Sequence, residues 1–107
     1  MEEETQPDII DRIFDNKTSV VYIVRSGKFI KIGKSNTRHV DTRLRDLQVG
    51  NPNKIEIEAL MLGDVKLERK LHKLADKEWV RGEWFKLTYK QVKNLIGEMP
   101  LLYGKYA

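Results

Sequence analysis

The chain contains no cysteine, only two histidines, and no apolar run of the ~18 residues that a membrane-crossing helix needs. The first absence excludes disulfides, thiolate metal sites and cysteine nucleophiles, and it fits a reducing compartment. With so few histidines, His39 standing alone, no histidine-rich metal cage can be assembled. The opening Met1-Glu2-Glu3-Glu4 has the wrong charge for a secretory leader, so a cytoplasmic location without membrane contact is expected. No internal repeat or low-complexity segment is present. At 107 residues there is room for one core, not two.

What is there begins with Val20 to Gly33. Two β-rich runs, Val20 to Arg25 and Lys28 to Ile32, flank Ser26-Gly27, which reads as a tight two-residue hairpin turn. Tyr22 and Lys31 are polar-tipped residues inside these apolar strands, so each needs solvent, a partner or a job. The net charge is +4, and it is unevenly spread. Arg25, Lys28, Lys31, Lys34, Arg38, Arg43 and Arg45 form a basic run, with Asp41 and Asp46 the only acidic residues in or beside it. Such a run is the footprint of a phosphate-bearing partner, or simply a solvated face.

Before the hairpin, Ile9, Ile10, Ile13 and Phe14 behind Pro7 predict a short amphipathic helix. After it, Lys34-Ser35-Asn36-Thr37 reads as a polar loop, followed by a helix over 38–48 with Val40, Leu44 and Leu47 as its apolar stripe. Arg43 lies on the edge of that stripe and Arg45 points away. Gly50-Asn51-Pro52 ends the helix. Residues 54–62 alternate apolar and acidic residues and predict a third strand. Asp64 then caps a helix over 65–78 built on Leu67, Leu71, Leu74 and Ala75, with Glu68 and His72 sharing a face at i, i+4. Trp79, Trp84 and Phe85 read as core aromatics rather than a base-stacking platform, in a stretch of short strand or turn. Thr88 to Gln91 matches a capping box and opens a last helix on Val92, Leu95, Ile96 and Met99.

These elements predict an α+β fold: a small three-stranded antiparallel sheet flanked by helices. The expected division is a tail and short helix over 1–18, a domain over 19–99 and a C-terminal tail over 100–107. Gly33-Lys34-Ser35 does not make a phosphate loop, because that motif needs a glycine where Lys28 stands. Glu68 and His72 make at most half of a metal site, or a plain helical surface pair. One carboxylate is still enough to hold Mg²⁺ when water and a substrate phosphate complete the shell.

Five ordered blocks carry a resemblance. They are Val-Tyr-Ile at 21–23, Ile-Lys-Ile-Gly-Lys-Ser at 30–35, Arg-Leu-Arg-Asp-Leu-Gln with Gly-Asn-Pro over 43–52, Leu-Glu-Arg-Lys-Leu-His at 67–72 and Gly-Glu-Trp-Phe at 82–85. Together they resemble the GIY-YIG nuclease superfamily, in its branch of small phage and cellular DNA-binding domains whose second signature reads Lys-Ile-Gly. The resemblance implies that Tyr22 lies near the attacking water, that Arg43 contacts the scissile phosphate, and that Glu68 binds one Mg²⁺ or Mn²⁺ ion. Gly33 matches the signature glycine. Two positions depart from the pattern: Lys31 stands at the second tyrosine, and Leu47 at a histidine found in many family nucleases. Lys31 could then act as a phosphate-binding cation or a base, with His72 assisting.

The expected activity is metal-dependent endonucleolytic cleavage of DNA, with RNA the other candidate substrate. Arg25, Lys28, Lys34, Ser35, Arg38 and Arg45 would contact the backbone of the nucleic acid. A catalytically silent nucleic-acid-binding module of the same fold is the alternative, and a protein-interaction domain is a third. The chain is expected to be a monomer or weak homodimer.

Overall fold

The computed structural model describes residues 18–104. The helix expected over Pro7 to Phe14 and the last three residues lie outside the described residues. Within them the order is β1 (Ser19–Ser26), β2 (Phe29–Asn36), α1 (Val40–Gln48), β3 (Ile55–Leu62), α2 (Val65–Leu74), a 3₁₀ turn (Asp76–Glu78), β4 (Trp79–Arg81), β5 (Trp84–Lys86), α3 (Tyr89–Ile96) and β6 (Tyr103–Gly104).

The expectation of three strands is overturned: the sheet has six, all antiparallel, in the order β4-β5-β2-β1-β3-β6. The three long strands form its centre, and three strands of two or three residues extend its two edges. Pieces so short bury too few residues to leave a periodic pattern in the sequence. The fold remains a mixture of helix and sheet.

The β1–β2 hairpin pairs Ser26 with Phe29, so its two-residue turn is Gly27-Lys28 rather than Ser26-Gly27. Gly27 takes φ +62, a backbone angle that its missing Cβ permits. β2 also runs past Gly33 to Asn36, where a loop was expected. Lys34, Ser35 and Asn36 pair with Val21, Val20 and Ser19, and the ladder holds a polar sequence extended.

β1 is buried on both faces, which explains its unbroken Val-Val-Tyr-Ile-Val run. Val21 and Ile23 face one way, into a core with Ile30, Ile32, Met61, Leu71, Phe85, Val92 and Ile96. Here α2 and α3 close the sheet. Val20, Tyr22 and Val24 face the other way, against Val40, Leu44 and Leu47 of α1 and Ile55, Ile57 and Leu60 of β3. The α2 helix is capped by Asp64, whose carboxylate accepts from the Lys66 N–H at 2.9 Å, and it stops at Leu74 rather than Glu78. The α3 capping box forms in both directions, Thr88 N–H to Gln91 Oε1 at 2.8 Å and Gln91 N–H to Thr88 Oγ1 at 3.1 Å.

Candidate functional site

The local structure that builds the site is a change of partner along β2. β5 pairs with it only over Phe29 to Lys31. Beyond that point the backbone of Ile32 is satisfied by two other groups: its N–H donates to the Glu83 carbonyl at 3.0 Å, and its C=O meets His72 Nε2 at 2.8 Å. A carbonyl only accepts, so Nε2 carries the proton of this ring. The His72 ring also meets Phe85 edge-on at 5.1 Å. Its place is therefore structural: it seals the sheet edge and pins α2 to β2.

Glu83 is the second residue of the two-residue turn Gly82-Glu83, which joins β4 to β5 with Gly82 at φ +54. The Trp79 Nε1–H braces this turn through the Gly82 carbonyl at 2.9 Å. Docked on Ile32, the turn brings the Glu83 carboxylate within 3.2 Å of Lys31 Nζ.

Tyr22 sits opposite Gly33 in the β1–β2 ladder and is 2% exposed. A Cβ on Gly33 would lie 2.5 Å from Tyr22 Cζ, so only glycine leaves room for this ring. Burial pushes the Tyr22 phenol above its ordinary pKa; Glu83 and Glu68 add to that, and Arg43 opposes it by charge and by hydrogen bonding the side chain. Arg43 itself is exposed on α1. Glu68, on α2, is also pushed up, first by burial and then by the Glu83 carboxylate, through its charge and a hydrogen bond between the two side chains. His72 and Lys34 partly offset this.

The middle of β2 thus gathers Tyr22, Lys31, Arg43, Glu68 and Glu83, with α1 reaching round from one face and α2 from the other. Lys34 borders Glu68, and Arg38 is exposed in the turn leading into α1. Glu83 was not singled out from sequence. The signal available was its place in the Gly-Glu-Trp-Phe block, but a turn residue reveals its neighbours only once the turn has docked.

The other expected contacts scatter. Arg25 is 6% exposed and turned into the α2/α3 side, where Nη1 donates to the Leu87 carbonyl at 3.1 Å and Nη2 lies 3.5 Å from Glu58 Oε1. Its guanidinium stacks on Tyr89 at 4.1 Å. Glu58 is the bulged residue where β3 slips against β1, which is what turns an acidic side chain inward. Ser35 is buried as well. Lys28 lies at the far hairpin tip, and Arg45 lines a groove between α1 and β3 with Asp41, Gln48 and Ile55. Of the three aromatics expected in the core, Phe85 is there, Trp84 is half-buried, and Trp79 is 57% exposed.

The T5orf172 domain model matches residues 19–99, most of the chain. The chain belongs to the T5orf172 domain family. No curated protein and no solved structure matches it. The matched span of the T5orf172 domain runs from the first residue of β1 to beyond α3, so it takes in every residue gathered beside β2. Leu47 belongs to the apolar layer under α1.

As a metal centre the site is acidic but small. Among the described residues no group of three or more histidine, cysteine or acidic side chains gathers. Glu68 and Glu83 offer two adjoining carboxylates, hard oxygen donors of the kind Mg²⁺ and Mn²⁺ accept while keeping several waters.

Proposed function

We propose that this T5orf172 domain is a GIY-YIG-type, metal-dependent endonuclease that hydrolyses DNA phosphodiester bonds, with RNA as the second substrate to test. The observation that carries the reading is the meeting of Tyr22, Arg43 and Glu68, from three separate elements, beside Gly33 in the middle of β2. Core packing alone gives no reason for a phenol, a guanidinium and a carboxylate to converge there, whereas phosphodiester hydrolysis needs such a set. Arg43 would bind the phosphate and neutralise charge developing on its oxygens. Glu68, with Glu83 beside it, would hold a divalent ion, which supplies Lewis-acid activation of the phosphate when bound. Tyr22, its proton held tightly by burial, would position the attacking water by hydrogen bonding. Lys31 is tied to Glu83, so it would act first as the counter-charge that keeps the acidic pair in place.

That ion pair also favours a second reading, a silent binding module, because it occupies the residue at the second signature position. A supercoiled plasmid incubated with Mg²⁺ or Mn²⁺ separates the two. Nicking is expected, with losses of at least about 100-fold in Glu68→Ala and Arg43→Ala proteins that keep the wild-type circular dichroism spectrum. Binding without cleavage across DNA and RNA substrates sinks the nuclease reading and leaves the binding module.

A further inference from the structure

Among the described residues, α1 covers only half of the sheet face that carries Tyr22. α1 packs over β1 and β3, and its apolar stripe meets nothing of β4 or β5. The strands on the other side of Tyr22 present a distinct pattern on this bare area. Phe29 pairs with Lys86, and Lys31 pairs with Trp84. Each cross-strand pair holds one aromatic ring and one cation, arranged as a checkerboard. Lys31 Nζ stands 5.7 Å from the Trp84 ring centroid, Lys28 Nζ stands 6.0 Å from that of Phe29, and Arg81 is the β4 partner of Trp84. Phe29, Trp84 and Val80, with Arg81, Ser26 and Asn51, line an open groove of about 330 Å³. The groove begins beside Lys31, which is itself bound to Glu83 of the candidate site.

We propose that this face is a stacking platform for unpaired bases, so that the nucleic acid this domain prefers is single-stranded at the nucleotides beside the phosphate held by Arg43. The inference rests on the nucleic-acid reading above and narrows its substrate class. Half-buried aromatic rings set among cations and open to a groove suit a strand whose bases stack while its phosphates find positive charge, and stacking is tolerant of sequence because every base has a π-face. A fully paired duplex buries its bases and cannot use such rings. A protein partner has no equal claim: an apolar interface core is depleted of lysine, whereas here Lys28, Lys31, Lys86 and Arg81 interleave with the rings.

The test uses the full-length wild-type protein and a fluorescein-labelled oligonucleotide in single-stranded and blunt-duplex form, with EDTA to block cleavage. The single strand is expected to bind more tightly at the same salt concentration and to quench tryptophan fluorescence. Trp84→Leu and Phe29→Leu keep apolar bulk on the sheet; each is expected to weaken single-strand binding roughly tenfold, the loss of about one stacked base, and to leave duplex binding unchanged. Lys93→Ala on α3 serves as a matched loss of charge elsewhere. Equal binding of the two forms, or leucine variants that bind the single strand like wild type, overturns the platform. A concentration-dependent dimer that the oligonucleotide fails to dissociate does so too, because a second copy then covers the face. Stacking without any cleavage in the plasmid assay would leave the platform standing and remove the nuclease; duplex cleavage indifferent to Trp84 would do the reverse.

Discussion

At the scale of single residues, the cost of assembling this site is concentrated in Glu68. Its carboxyl is partly desolvated and faces a second acid, so the folded chain holds that proton more tightly than the unfolded chain does. Between the ordinary glutamate pKa and the raised one, the folded state binds more protons, and stability falls as pH climbs through that window. Glu68→Gln removes the ionisation while keeping the shape. The variant should melt at a higher temperature than wild type at about pH 7.5, and the difference should vanish near about pH 4, where the wild-type acid is protonated. Added Mn²⁺ should reverse the order, because only the wild-type pair offers two carboxylates and a ligand of the folded state stabilises it by mass action. Identical melting curves across this range, with and without Mn²⁺, would remove both the strained acid pair and its proposed use. Arg25 shows the contrary case, a charge that the fold has absorbed. A guanidinium buried against the Leu87 carbonyl, Glu58 and the Tyr89 ring is turned away from the surface where a phosphate would bind.

At the scale of elements, the site depends on how the short β4–β5 hairpin and α2 meet the middle of β2 at Ile32. His72 is the joint between them: its Nε2–H satisfies a strand carbonyl that β5 does not reach, and its ring packs on Phe85. His72→Ala leaves that carbonyl without its partner and is expected to lower unfolding free energy by about 1–3 kcal/mol, read from a denaturant midpoint at unchanged m-value. A midpoint equal to wild type would show that water or β5 replaces the ring. This joint also marks what the sequence could and could not reveal. The long strands, the three helices and both caps were legible, because each rests on local periodicity or on a hydroxyl, amide or carboxylate a few residues from its partner. The extension of β2 over Lys34-Ser35-Asn36 was not, since a polar stretch becomes strand only when a neighbouring ladder holds it. The stretch of β4 and β5 was legible only as short strand or turn, its pairing to β2 was not, and β6 is too short to leave a pattern. Glu83 escaped notice for the same reason as the inward turn of Arg25. Each is decided by a contact far along the chain, Glu83 with Ile32 and Arg25 with the bulged Glu58, 33 positions on.

At the scale of the whole molecule, the question is where a net charge of +4 acts. The basic run in the sequence suggested one continuous patch, but folding divides it. Arg25 goes inside, Arg45 to the groove between α1 and β3, and Lys28 to the hairpin tip beside Phe29, while Lys34 stays beside Glu68, Arg43 beside Tyr22, and Arg38 in the exposed turn between β2 and α1. Duplex binding should therefore depend on few phosphate contacts. With Lys34, Arg38 and Arg43 each neutralising one phosphate, log K should fall against log salt with a slope near about −3, far shallower than seven independent cations would give. Arg38→Ala should weaken binding at low salt and flatten the slope by about one unit. Lys93→Ala, an equal loss of charge on α3, should lower affinity little and leave the slope alone. If the two variants instead shift the curve equally, net charge rather than placement governs binding, and the phosphate track beside the Tyr22, Arg43 and Glu68 cluster would have to be abandoned along with the site it serves.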